Sequence, residues 1–101
     1  MPHGHRTAEL RSIAFHRLVA EHLDAEVLEL ASTRVERWIA HGGPVSPGAA
    51  RRWQDLLGEG SAALASHLVE DTEEMRDLRQ NTPFAGVLTP RERWQVISEI
   101  P

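Results

Sequence analysis

The stretch from Leu78 to Ile97, LRQNTPFAGVLTPRERWQVI, specifies its local structure more tightly than any other part of the chain. Thr89-Pro90-Arg91-Glu92 places a Thr at the N-cap, Pro at the first helical position and Glu at the third, the reciprocal arrangement that satisfies two orphan backbone donors. A helix is therefore predicted to begin at Pro90. Upstream, Asn81 is expected to leave the preceding helix in the left-handed conformation, and Pro83 prevents that helix from continuing. Phe84, Val87 and Leu88 give the intervening loop an apolar side that has to pack against something. Two outcomes compete for Phe84. It is either a plug in the protein's own core, which the small Ala85-Gly86 pair favours by permitting close backbone approach, or an outward anchor rimmed by Arg79, Arg91 and Arg93.

The rest of the chain reads as helix. The pattern predicts a compact all-α bundle of five or six short helices in a single domain over residues 7–101, preceded by a loose tail at 1–6. The 101 residues suffice for one core and no second. The first helix is expected from about Ala8 to Leu23, with Leu10, Ile13, Ala14, Phe15, Leu18 and Val19 as a broad stripe and Arg11 and Arg17 toward water. Asp24 is an N-cap for a second helix, unless one helix runs continuously through it. That helix buries Val27, Leu28, Ala31, Val35, Trp38 and Ile39 and stops at Gly42-Gly43-Pro44. Ser46-Pro47 starts a third with Ala49, Trp53, Leu56 and Leu57 inward, Ser61 caps a fourth, and Asp71 with Glu74 caps a fifth carrying Met75 and Leu78. No run of β-branched residues alternates with polar ones as a strand would.

Composition narrows function mainly by exclusion. With no cysteine, neither disulfides nor thiolate metal sites are available. No run approaches the ~20 apolar residues of a membrane helix and the start lacks a signal-peptide core, so a soluble, cytoplasmic protein is expected. His16 and His22 are six apart and point in different directions, no Glu-x-x-His occurs, and Pro2 removes the amide that a Met1-Pro2-His3 copper site would use. There is no Cys, Lys or strand-turn-Ser nucleophile and no phosphate-cradling glycine loop. A non-enzymatic protein without cofactor or metal is the expectation.

The charges are unevenly placed. All eleven basic side chains are arginine, and the net charge is -4. Glu70, Asp71, Glu73, Glu74 and Asp77 form an acidic run that could steer a basic protein partner, beside an arginine-rich flank of Arg79, Arg91 and Arg93. The alternative is DNA binding through a helix-turn-helix-like pair, with Arg51, Arg52 and Gln54 of the third helix reaching the duplex. The negative charge and a turn longer than the usual ~3 or 4 residues count against it.

Arg11 to Arg17 (RSIAFHR), Val35 to Ile39 (VERWI) and above all Leu78 to Trp94 resemble a group of small bacterial helical proteins, antitoxin-like partners of toxin genes. The resemblance implies a cognate protein partner, a toxin acting on nucleic acid or nucleotides, neutralised by stoichiometric binding. It carries no catalytic motif and no binding residues.

Overall fold

The computed structural model describes residues 3–100. Six helices follow in order: α1 His3–Ala20, α2 Ala25–His41, α3 Pro47–Gly58, α4 Ser61–Leu68, α5 Glu73–Gln80 and α6 Pro90–Glu99, with no strand among the described residues. α2 lies against α3, and α1 is the central strut, touching α4, α5 and α6. The helices close on one core of Val19, Ala31, Val35, Trp53, Leu56, Leu64, Leu68, Met75, Leu78, Phe84 and Leu88. Those side chains recur at the three- and four-residue spacings of the sequence, so the apolar stripes position the bundle.

Local chemistry sets most boundaries. Asp24 breaks the chain, its Oδ1 accepting from the Val27 N–H at 2.9 Å. Ser46 Oγ accepts from Ala49 at 3.2 Å. The Thr89–Glu92 box is complete, with Glu92 N–H donating to Thr89 Oγ1 at 3.1 Å and Thr89 N–H to Glu92 Oε1 at 2.9 Å. α1 ends at Ala20 instead of Leu23, because Glu21 and His22 donate three residues back and tighten the last turn.

Several expectations are corrected. α1 begins at His3, not near Ala8, because only Gly4 weakens those early turns and it costs about 1 kcal/mol. Of the tail expected at 1–6, residues 3–6 are thus helical, while Met1 and Pro2, with the terminal copper question, lie outside the described residues. Gly60, not Ser61, occupies the α4 N-cap at φ 98°, a left-handed turn that glycine adopts without a Cβ clash. Thr72, not Asp71, caps α5, its hydroxyl accepting from Met75 at 3.1 Å. Asn81 closes α5 at φ -130°, outside the left-handed region, with a bond back to Leu78 O at 3.3 Å. The loop's positive φ belongs instead to Gly86, at 82°. Arg11, expected toward water, is half-buried and donates through Nε to Ile100 O at 2.7 Å, tying α1 to the end of α6. Trp53 is sealed in the core, whereas Trp38 is only half-buried, its indole packed so close over Gly43 that no Cβ fits there.

Candidate protein-binding surface

The loop between α5 and α6 folds inward. Phe84 is fully buried, its ring edge-on to Trp53 with centroids 6.0 Å apart, so its assignment as an interface anchor is overturned in favour of the core plug. Bringing an irregular loop inside strands its polar backbone unless partners follow. Arg34 Nη1 supplies one, donating to Pro83 O at 3.0 Å and also to Ala85 O. Thr82 supplies another, its Oγ1 accepting from the Phe84 N–H at 3.1 Å. The Thr82 hydroxyl in turn meets His16 Nε2 at 2.9 Å, and His16 Nδ1 lies 2.7 Å from Ser12 O. A carbonyl can only accept, so His16 carries its proton on Nδ1, and neutral Nε2 accepts from Thr82. Burial, helped by the Arg79 charge, holds the His16 pKa down at about 4, against the opposing pull of the Ser12 carbonyl.

Arg79 also leaves the list of partner-facing residues, because it is only 3% exposed. Its Nη1 donates to Leu68 O at 3.1 Å and Glu70 O at 2.7 Å, satisfying carbonyls left open at the end of α4. Nε and Nη2 are buried with no hydrogen-bond partner, and this desolvation, opposed by the Asp71 charge, lowers the pKa of the guanidinium. Arg79 and Arg34 are thus equivalent devices, each an arginine holding the carbonyls of one loop.

The acidic run is largely occupied internally. Glu70 pairs with His67 Nδ1 at 2.7 Å, Asp71 with Arg76 at 3.7 Å, and Glu74 with Arg52 Nε at 3.3 Å. Glu73 and Asp77 are exposed and make no ion pair among the described residues. On α3, Arg51 and Gln54 face solvent while Arg52 is held by Glu74. Gly42 to Ser46 separates α2 from α3, longer than a helix-turn-helix connection.

What the fold presents outward is α6. Trp94 is 67% exposed and Ile97 44%, while Val96 is buried. At about 100° per residue Trp94 and Ile97 form one stripe, with Arg91 about 60° beyond Trp94 and Arg93 about 40° beyond Ile97. Both arginines are exposed and unpaired among the described residues. Beside the stripe runs a cleft of about 400 Å³, lined by Ala8, Arg11, Ser12 and Phe15 of α1 and Arg93, Val96 and Ile97 of α6. Glu92, on the far side of α6, is occupied: the Thr89 N–H first, then the Thr89 hydroxyl and His22 at 2.8 Å, hold its carboxyl below the usual range. Sequence reading identified Arg91 and Arg93 but passed over Trp94, because the buried side of α6 is set by the packing of Val96, about 200° round the helix from Trp94.

Among the described residues no three His, Asp or Glu side chains converge as a metal site would require, and no helix is long and apolar enough to cross a membrane. Comparison with protein-family models, with curated proteins and with solved structures gives no match.

Proposed function

We propose that the chain is a non-enzymatic protein-binding module that meets its partner through the outward face of α6. The observation that carries this reading is Trp94, a large aromatic left 67% exposed at the centre of a stripe flanked by two unpaired arginines. Tryptophan and arginine are the side chains that most often dominate binding energy, and a packed helix has no structural use for an indole pointed at water. Neutralisation of a cognate toxin by stoichiometric binding is the form of this function that the sequence resemblance implies. Exposed Arg51 and Gln54 sustain DNA binding as the alternative.

Trp94→Ala tests the proposal. Its melting midpoint should match the wild type, because little of the indole is buried, while affinity for the native partner should fall by about 2 kcal/mol or more, roughly 30-fold. A joint Arg51→Ala and Gln54→Ala variant should retain the partner. Retention by Trp94→Ala, or salt-sensitive loss of promoter DNA by the α3 variant, overturns the reading. The toxin form has its own check. Wild-type protein, but not Trp94→Ala, should relieve growth arrest caused by the product of an adjacent gene, and if it does not, the toxin assignment fails.

A further inference from the structure

Resting on the α6 reading, we infer that the segment this surface receives is a short acidic amphipathic helix of a different protein. The cleft fixes the apolar half of the recognition. Ala8 and Phe15 form one wall and Val96 and Ile97 the other, so the floor takes hydrocarbon side chains, not phosphates. α6 spans ten residues, about 15 Å, the length over which a helix presents apolar residues at i, i+3 or i+4, and i+7.

Electrostatics fixes the other half. α1 and α6 together carry five arginines against three glutamates, in a chain whose net charge is -4. All three glutamates are engaged: Glu9 with Arg6 at 3.7 Å, Glu92 with Thr89 and His22, and Glu99 with the Gln95 amide at 3.2 Å. Arg91 and Arg93 flank the stripe uncompensated, and Arg11, anchored by Ile100 O, adds a third cation at the cleft wall. A helix whose apolar residues enter the cleft would bring its flanking positions beside these guanidinium groups, where carboxylates pair in bidentate geometry and ammonium groups are repelled.

A second copy of this chain does not meet the requirement. Two-fold pairing of α6 on α6 offers the guanidinium groups of Arg91 and Arg93 no free carboxylate, because Glu92 and Glu99, the glutamates of α6, are already engaged. Among the described residues the carboxylates without a partner are Glu21, Glu26, Glu29, Glu36, Asp55, Glu73 and Asp77, and the one large apolar side chain exposed on the same elements is Leu30 of α2, since Met75 and Leu78 of α5 are buried. A single leucine is not the series at i, i+3 or i+4 and i+7 that the cleft takes.

The experiment titrates the full chain against three labelled probes by fluorescence anisotropy. These are a peptide of about 15 residues with Leu at i, i+3, i+4 and i+7 flanked by Glu, the same peptide with Lys in place of Glu, and a single-stranded oligonucleotide. The Glu peptide should bind about tenfold or more tightly than the Lys peptide and weaken as salt is raised. Arg91→Glu with Arg93→Glu should invert that preference without shifting the melting midpoint, since both side chains are exposed. Ile97→Ala and Trp94→Ala should weaken both peptides. Equal binding of the two peptides, preference for Lys, tighter binding of the oligonucleotide, or no peptide binding overturns the inference. If Trp94→Ala loses the native partner while the Glu peptide fails to bind, the α6 interface stands and the acidic-helix assignment falls. If Trp94→Ala keeps the native partner, the α6 interface itself is lost.

Discussion

Replacing Phe84 with alanine is expected to destabilise the protein by about 3 to 5 kcal/mol, a large share of the roughly 5 to 15 kcal/mol available to a domain of this size. The ring is fully buried, so its removal forfeits transfer energy, opens a cavity and deletes the edge-to-face contact with Trp53. The site cannot collapse easily to fill the gap, because the loop backbone around it is held by Arg34 on Pro83 O and Ala85 O and by Thr82 on the Phe84 N–H. The melting midpoint should fall by at least about 12 °C. Partner affinity measured well below that midpoint should change little, the reverse of the Trp94→Ala result. An unchanged midpoint with lost binding would return Phe84 to the surface and undo the description of the loop.

Residues whose roles are decided within one helical turn were legible in the sequence. Thr89 and Glu92 cap α6 through bonds that span three positions, and Ser46 and Asp24 act over the same distance. Where a cap depends on how the helix must sit to bury its stripe, sequence reading missed by a residue: Thr72 displaces Asp71, and Gly60 displaces Ser61. Roles set by distant partners were out of reach. Nothing near Arg79 announces that the carbonyls of Leu68 and Glu70 will come to it, and nothing near Glu74 announces Arg52. The acidic run therefore read as a free surface, whereas three of its five carboxylates, Glu70, Asp71 and Glu74, pair with side chains of the same chain. Trp94 belongs with these, since it shares an apolar stripe with Ile97 and only the burial of Val96 against the bundle turns it outward.

Acid should loosen the same loop through His16. The sign follows from its depressed pKa: with the ordinary value at 6.5 and the folded value at about 4, the unfolded chain binds the proton first. The contribution of neutral His16 is complete above pH 6.5 and is lost as pH falls from 6.5 toward 4. At about 1.36 kcal/mol per unit the total approaches about 3 kcal/mol. The network leaves no easy accommodation of the extra proton. With both ring nitrogens as donors, Nε2 and the Phe84 N–H would converge on Thr82 Oγ1, and the Thr82 hydroxyl would lose the acceptor it now has. Glu92, whose carboxyl is also held down, loses its contribution at lower pH, below its ordinary 4.5, so the two groups act in separable windows. Denaturant midpoints followed from neutral pH to 4.5 should decline for the wild type. His16→Gln, which cannot titrate, should start less stable at neutral pH and stay nearly flat across that interval. A parallel decline in both proteins would show that the acid sensitivity lies elsewhere, and would remove His16 as the group that ties loop integrity to pH.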